Sequence, residues 1–266
     1  MLYIFLITAS VELGFGFGRC CAKLLSSDKN VVRFGFLTDY GVIKELVIYR
    51  FNFYDHDMTK KFPLRTISLK YSPTPICRIF TTKHEKTLYL KQKNPLHTIP
   101  VLEDGDLIIT DSHVIITYLV SKYGADKKET LYPSDLALRA IVEQRLFFDA
   151  TVLFPPLKLI IRGILYERST GPNKKQIEDV NEAYGILEQY LEKSKYVAGN
   201  NITVADVSCV STVSSLEIVV PIDGKYKKVH AWFDRLKKEV WYQKANVPGL
   251  TQLDQHLKMT IKKYSK

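Results

Sequence analysis

Asp111 and Ser112 stand next to each other at the start of an amphipathic stretch, where they could bind a ligand that carries a carboxylate and an ammonium group. The free amides at a helix N-terminus suit a carboxylate. The Ser112 hydroxyl would add a donor, and Asp111 could pair with the ammonium. The same residue types also form ordinary helix caps that bind nothing. Taken alone the pair favours a simple cap, so the surrounding sequence must decide.

The residues around this pair predict a short hairpin followed by a helix. Residues 98–102 and 107–110 have the pattern of two strands, and Asp104-Gly105 is the signal of a tight turn between them. The helix should run from Ser112 to Tyr123 and stop at Gly124. Four apolar residues share one face of it: Ile115, Ile116, Leu119 and Val120.

The chain after Ser134 predicts an all-helical region. Residues 125–133 form a polar, lysine-rich linker that suggests a domain boundary. Thr203 and Asp206 have the spacing of a capping box, and Ile202 and Val207 that of a hydrophobic staple. Five segments have helical periodicity: 136–154, 175–193, 204–219, 227–239 and 250–264.

The composition narrows the class of protein. The chain has 266 residues, 46% of them hydrophobic, which is enough for a substantial core. No apolar run is long enough for a membrane span, and the apolar residues 1–9 lack the basic flank of a signal peptide. The four cysteines lack metal or disulfide spacing, which favours the reducing cytoplasm. The net charge of +10 is scattered, so a solvated basic surface is favoured over nucleic-acid binding.

The run from Asn94 to Gly124, NPLHTIPVLEDGDLIITDSHVIITYLVSKYG, resembles the glutathione-binding half of cytosolic glutathione transferases, most closely the insect epsilon and delta classes. The resemblance continues almost to the C-terminus. It implies a thioredoxin-like α/β domain over residues 64–124, incomplete or remodelled in its N-terminal half. An all-α domain should follow over residues 133–266, and residues 1–63 remain an unassigned N-terminal segment.

The resemblance also implies where glutathione binds. Ile99, before a cis Pro100, would bond the cysteinyl backbone, although X-Pro bonds in general favour trans. Asp111 and Ser112 would hold the γ-glutamyl end, and His97 the glycine end. His113 would face either the γ-glutamyl group or a dimer partner. The expected glutathione-binding residues are His84, His97, Ile99, Pro100, Asp111, Ser112 and His113.

A second set of residues falls where the family lines its hydrophobic substrate pocket. The spacing i, i+3, i+4, i+7 and i+8 puts these residues on one helix face. Two of them are basic, which favours a cleft wall over a core stripe. Pro155-Pro156 should kink or break the helix there. The expected pocket residues are Phe154, Leu157, Lys158, Ile161 and Arg162.

The catalytic residue of such an enzyme should be a serine that hydrogen-bonds the glutathione sulfur and favours its thiolate. Residues 71–78, YSPTPICR, are similar to the family's Ser-Pro turn, which makes Ser72 the candidate. Only 15 residues separate Arg78 from Asn94, whereas a helix, a strand and two loops take roughly 25. Either unrelated residues replace these elements, as in a misassembled transcript, or residues 1–63 supply substitutes. The first is favoured, because 1–63 contains no family turn motif.

The function implied by the resemblance is conjugation of glutathione to hydrophobic electrophiles, as in detoxification. Glutathione would be a co-substrate, with no metal or other cofactor, and family members are homodimers. Two alternatives remain. The chain could bind glutathione or another ligand without turnover, or it could be a transferase-like protein-interaction module.

Overall fold

The computed structural model describes the backbone of strands at residues 31–37, 43–49, 67–71 and 74–79, and residues 94–265 apart from 97, 99 and 105. Glu103 and Tyr123 are described by backbone alone. These residues divide into two compact units that separate between Ile115 and Ile116.

Strands of the first unit form one antiparallel sheet. Among the described residues it has six strands, each hydrogen-bonded to the next in chain order. The strands are β1 Val31–Leu37, β2 Ile43–Tyr49, β3 Ile67–Tyr71, β4 Thr74–Ile79, β5 Leu102–Asp104 and β6 Leu107–Ile109. β1 and β2 pair along their whole length, from Val31 opposite Tyr49 to Leu37 opposite Ile43. The apolar and aromatic residues at 46–53 predict a strand, and β2 covers the first half of that range.

β3 and β4 adjoin Ser72, which itself lies outside the described residues. The family resemblance implies that a helix begins soon after this serine, but the structure has a strand at Thr74–Ile79, antiparallel to β3. The pairing is irregular between Leu69 and Tyr71. Pro75 explains the irregularity, because its nitrogen cannot donate to the ladder.

The predicted hairpin is present, but its first strand lies later than expected. β5 begins at Leu102, so the prediction of a strand over 98–102 was wrong. Thr98 is not part of the strand, because its carbonyl oxygen accepts a hydrogen bond from the Asn94 side chain at 2.8 Å. Pro100 also lacks a backbone donor. Asp104 pairs with Leu107 across the predicted two-residue turn.

Helix α1, Ser112–Tyr123, has the predicted bounds. Its apolar face is buried, since Ile115, Ile116, Leu119 and Val120 are at most 5% exposed. Gly124 follows the last residue of the helix. Its lack of a side chain matters there, because a Cβ would lie 2.4 Å from the carbonyl oxygen of Val120. The left-handed residue is Ala125, with φ of 43°.

The segment predicted as a linker is folded into short helical turns. A 3-10 turn at Ala125–Lys127 leads into α2, Lys128–Leu131. The Tyr132 hydroxyl donates to Glu143 Oε1 at 2.5 Å. Burial and this carboxylate raise the pKa of Tyr132 to about 12. The segment is therefore held against the helix that follows it.

The second unit is helical, as predicted. Its longer helices are α3 Leu136–Phe148, α4 Phe154–Tyr166, α5 Lys174–Lys193, α6 Val204–Val219, α7 Lys227–Lys237 and α8 Val247–Tyr264. The α6 prediction matches at both ends. No helix in the described part of the chain is long and apolar enough to cross a membrane.

The α-helix is interrupted directly before the prolines at 155 and 156, as the sequence predicted. A π-helical turn at Asp149–Leu153 joins α3 to α4, and both prolines lie in the first turn of α4. A first turn tolerates proline because its amides have no intrahelical acceptor. The wider turn takes up the mismatch with the carbonyl groups before it.

Helix α6 runs through the centre of the helical unit. Every residue from Val204 to Leu216 is buried, and α6 packs against α3, α4 and α8. Four of these residues are serines (208, 211, 214 and 215). Ser211 and Ser215 return their hydroxyls to the helix backbone, and Asn246 Nδ2 donates to Ser214 Oγ at 2.9 Å. Small side chains thus let neighbouring helices approach while their hydroxyls stay bonded.

Asp206 forms the predicted capping box and does more than cap. Its Oδ2 accepts from the Thr203 amide at 2.9 Å and from the Thr203 hydroxyl at 3.1 Å. Its Oδ1 accepts from the Val197 amide and from Trp232 Nε1, both at 2.9 Å. Complete burial raises the pKa of Asp206, and these hydrogen bonds oppose the rise. One carboxylate therefore joins the turn before α6, the start of α6, and α7.

We expect Asp206→Asn to lower the free energy of unfolding by about 3 kcal/mol, because an amide nitrogen would face buried donors and leave them unpaired. Urea unfolding followed by circular dichroism measures the loss. Asp234→Asn, at an exposed aspartate of α7, is the control and should change stability by no more than about 0.5 kcal/mol. Equal midpoints for the two variants would contradict a structural role for Asp206.

Candidate glutathione site

The start of α1 is capped by Asp111. Its Oδ1 accepts from the backbone amides of His113 at 2.8 Å and Val114 at 3.2 Å. The side chain is 58% exposed. Its Oδ2 has no hydrogen bond to the described residues, which leaves one carboxylate oxygen for a ligand. The cap predicted as the simple alternative is thus real, and it still leaves room for binding.

His113 lies against the same carboxylate. The ring is nearly buried, and its Nδ1 is 3.3 Å from Asp111 Oδ1. Hydrogen bonding to His113 is the main reason that the pKa of Asp111 is lowered, and the amides of Val114 and His113 add to it. His113 therefore holds the Asp111 carboxylate ionised and oriented.

Ser112 is the most unusual residue of this region. It is 1% exposed, yet its hydroxyl has no hydrogen-bond partner among the described residues. A buried donor without a hydrogen bond lowers the stability of the folded state by about 1–3 kcal/mol. The residue is the first of α1, where backbone amides also lack intrahelical acceptors. The next three amides of α1 are bonded to Asp111, so the Ser112 hydroxyl and the Ser112 amide are the groups that an incoming anion or carbonyl group would satisfy.

Asn94 shapes the loop before Pro100, a role that the sequence analysis missed. Asn94 is completely buried. Its Nδ2 donates to the carbonyl oxygen of Thr98 at 2.8 Å and to the Thr98 hydroxyl at 3.1 Å. Its Oδ1 accepts from the Leu96 amide at 3.0 Å. The Asn-Pro dipeptide was the available signal, since Asn side chains commonly close turns onto their own backbone.

Of the other residues predicted to bind glutathione or to activate it, the structure places one. Pro100 is buried at the end of the Asn94 loop. Ser72, His84, His97 and Ile99 lie outside the described residues.

The predicted pocket residues on α4 fall into different environments. Leu157 is 1% exposed and packs in the helical core with Ile160 and Ile164. Phe154 and Ile161 are half-buried, whereas Lys158 and Arg162 are exposed. The core face of α4 is therefore rotated from the predicted stripe, and the outward face carries the two basic residues.

The helical unit contains a cysteine that is not part of the candidate site. Cys209 is completely buried, and burial raises the pKa of its thiol, which makes it a poor nucleophile. In the described part of the chain, no group of three or more His, Cys, Asp or Glu side chains could hold a metal ion.

Comparisons with known proteins match both units. A family model described as the N-terminal domain of glutathione S-transferase matches residues 65–127, and one described as its C-terminal domain matches residues 148–239. Glutathione S-transferase 1 of Manduca sexta is 44% identical over 158 residues, which are 59% of this chain and 71% of that protein.

Solved structures agree. The epsilon-class glutathione S-transferase of the housefly, Musca domestica, is 43% identical with a TM-score of 0.61, covering 65% of this chain and 79% of that chain. A glutathione transferase homolog of Drosophila mojavensis, solved with bound glutathione, is 42% identical with a TM-score of 0.62, covering 66% and 81%. A delta-class glutathione transferase of Nilaparvata lugens and a glutathione transferase of Bombyx mori are also similar.

These matches define a transferase with a thioredoxin-like N-terminal domain and an all-helical C-terminal domain. The chain belongs to the glutathione S-transferase family, and its relatives include the insect epsilon and delta classes. The matched ranges begin at residue 65, so β1 and β2 precede them.

We expect Ser112→Ala to weaken glutathione binding about tenfold, because a hydrogen bond to a charged group contributes about 1.5–3 kcal/mol. The free energy of unfolding of the ligand-free protein should be unchanged or slightly higher, since the hydroxyl makes no hydrogen bond to the described residues. Isothermal titration calorimetry and urea unfolding measure the two quantities.

Ser208→Ala is the matched control for this change. Ser208 is equally buried, but its hydroxyl donates to Asp149. This variant should lose stability and keep its affinity for glutathione. If Ser112→Ala behaved in the same way, Ser112 would be a structural residue.

Replacing Asp111 should separate its cap from its charge. Asn is also a good cap, so Asp111→Asn should lose only the charge-dependent part of the stabilisation and bind glutathione about tenfold more weakly, whereas Asp111→Ala should also lose the cap, which contributes about 1 kcal/mol of stability. The same two measurements apply. Because the folded pKa is lowered, the stabilisation by the carboxylate is present above its unfolded pKa and is lost as pH falls through the folded pKa. Unchanged affinity in Asp111→Asn would leave Asp111 as a cap alone.

Proposed function

We propose that this protein binds glutathione at the N-terminus of α1 and conjugates its thiolate to hydrophobic electrophiles. The main support for glutathione binding is the Ser112 hydroxyl, which is buried and has no hydrogen-bond partner among the described residues. It lies next in the chain to Asp111, whose carboxylate uses one of its two oxygens to cap the helix. Membership of the glutathione S-transferase family, and a similar structure with bound glutathione, support the same ligand.

The γ-glutamyl end of glutathione matches the chemistry at α1. Its carboxylate would accept from the Ser112 hydroxyl and the Ser112 amide at the start of the helix. Its ammonium would pair with the Oδ2 of Asp111, which His113 helps to keep charged. Both groups thus meet complementary partners that the protein itself does not satisfy.

The loop closed by Asn94 would hold the rest of the tripeptide. Asn94 bonds the backbone at Leu96 and Thr98, and His97, Ile99 and Pro100 are next to these residues in the sequence. In the proposed arrangement the Ile99 backbone bonds the cysteinyl moiety, while His97 and His84 bind the glycine carboxylate.

Catalysis is assigned to Ser72. Its hydroxyl would hydrogen-bond the glutathione sulfur and lower the thiol pKa from about 8.5 by a unit or two. The thiol proton leaves to solvent, and the sulfur then attacks an electrophilic carbon. A carbon–sulfur bond forms as the leaving group departs with its electron pair.

The proposal includes the surroundings of the reaction. Residues 64–124 would form the glutathione-binding domain and residues 133–266 the helical domain, with residues 1–63 as an additional segment. The outward face of α4 (Phe154, Lys158, Ile161 and Arg162) would contact the electrophile, while Leu157 supports it from the core. We propose a cytoplasmic homodimer that needs no cofactor besides its co-substrate.

The test is binding and turnover by the full chain. We expect retention on immobilised glutathione and conjugation of 1-chloro-2,4-dinitrobenzene, followed by absorbance. Ser72→Ala should lower kcat/KM by about 10²-fold or more while retention persists. Retention without turnover in the parent chain would leave a non-catalytic binding protein, and loss of both would leave an interaction module.

A further inference from the structure

Two cationic side chains lie beside the same tyrosine ring in the helical unit. Lys195 Nζ is 5.4 Å from the centre of the Tyr196 ring, and the guanidinium carbon of Arg235 is 5.6 Å from it. Tyr196 lies in the turn after α5, and Arg235 belongs to α7. Neither cation forms an ion pair with a carboxylate of the described residues. Like charges at this spacing repel each other, and an anion near both would relieve the repulsion.

Arg235 is held in position by the backbone. One terminal nitrogen, Nη2, donates to the carbonyl oxygen of Lys195 at 2.6 Å. The Nε of Arg235 is buried and has no hydrogen bond to the described residues. The other terminal nitrogen, Nη1, also has no hydrogen bond to them, but it is not buried. The guanidinium is therefore fixed and still has a donor at the surface, which suits an oxyanion.

The turn that carries Lys195 is fixed by its own hydrogen bonds. Tyr196 and Gly199 exchange two backbone hydrogen bonds, with N···O distances of 2.8 and 3.3 Å. The Lys195 amide donates to Asn200 Oδ1 at 3.3 Å. The Lys195 side chain is exposed, and its four-carbon stem is flexible. Its ammonium can therefore move toward an anion that Arg235 already contacts.

The Tyr196 hydroxyl is a third donor. The residue is only 8% exposed, but its hydroxyl is not buried and has no hydrogen bond to the described residues. Burial raises the pKa of Tyr196; Arg235 opposes this rise, whereas Glu239 and Asp206 add to it. The phenol therefore stays protonated at neutral pH and can donate to an anion.

A second tyrosine of the same unit provides an internal comparison. Lys225 Nζ is 4.9 Å from the centre of the Tyr226 ring, and Tyr226 is also 8% exposed. The Tyr226 hydroxyl, however, donates to the carbonyl oxygen of Asn181 at 2.8 Å. Among the described residues, Lys225 is the one cation beside this ring. The surroundings of Tyr196 differ, because they combine two cations with a hydroxyl that the described residues do not use.

We propose that Lys195, Tyr196 and Arg235 form a binding site for a phosphate group, either the free ion or a phosphate ester of a small molecule. The Arg235 guanidinium and the Tyr196 hydroxyl donate to phosphate oxygens, and the Lys195 ammonium closes over them. A phosphate group suits this set of donors because it carries about two negative charges and at least three acceptor oxygens. No covalent bond changes, and the site does not depend on glutathione conjugation.

Nuclear magnetic resonance of the full chain tests the site. Because Arg235 Nε is buried, its proton should exchange slowly with water and give a signal in a proton–nitrogen correlation spectrum. Inorganic phosphate should shift this signal and the backbone amide signals of Lys195 and Tyr196 until they saturate. We expect a Kd of about 1–10 mM, because exposed charge pairs are weak. Sodium chloride at equal ionic strength should give no saturable shift.

Variants assign the binding to these side chains. Lys195→Ala should weaken phosphate binding about threefold, the scale of one exposed charge pair. Tyr196→Phe should also weaken it, because the hydroxyl is lost while the ring is kept. Glu239→Gln should tighten it, because Glu239 is an acidic group close enough to act on Tyr196 and would repel an anion. Lys225→Ala, at the lysine beside Tyr226, is the matched control and should leave the Kd unchanged.

Glycerol 2-phosphate identifies the source of the phosphate group. Binding as tight as that of inorganic phosphate would support a site for phosphate esters, and binding of inorganic phosphate alone would support a site for the free ion. Shifts that do not saturate, or that saturate equally with chloride, would overturn the proposal. The same Kd in the parent chain and in Lys195→Ala would overturn it as well. None of these measurements requires glutathione, so the proposed function is tested separately.

Discussion

The Asp206 carboxylate organises the helical unit, because it is completely buried and its hydrogen-bond donors come from three different parts of the chain. Val197 lies in the turn after α5, Thr203 precedes α6, and Trp232 belongs to α7. The Val197 peptide is bonded on its other side as well, since Arg145 of α3 donates to its carbonyl oxygen at 2.9 Å. A buried charge tolerates little displacement of its partners, so these segments are fixed relative to α6.

The rigidity of this network sets the position of α4. α4 packs on α6, and its core face of Leu157, Ile160 and Ile164 is buried. The π turn at Asp149–Leu153 belongs to the same arrangement, because Asp149 accepts a hydrogen bond from Ser208 of α6. The turn that accommodates the two prolines is thereby tied to the central helix. The outward face of α4 is consequently presented in one orientation.

Local signals in the sequence were sufficient to predict α1 and α6. Each begins at a capping residue and continues with buried apolar positions, so sequence and structure give the same bounds. The strand at 98–102 was misplaced because the buried Asn94 side chain binds the Thr98 carbonyl oxygen, a contact that a periodicity argument does not contain. The prolines at 155 and 156 predicted an interruption of the helix but not its form, a π turn that packs against α6. The Ser112 hydroxyl has no hydrogen-bond partner among the described residues. No sequence pattern indicates this, because it depends on which side chains the fold brings close to the hydroxyl.

The two faces of α4 differ in burial and in charge. Residues that stabilise the unit point inward, and the charged residues Lys158 and Arg162 point outward. Because exposed substitutions usually change stability by no more than about 0.5 kcal/mol, the outward face can vary its charge at little cost to the fold. The start of α1 behaves differently. Asp111 caps the helix with one oxygen, while its other oxygen has no hydrogen bond to the described residues, so the proposed binding of glutathione and the local stability would depend on the same carboxylate.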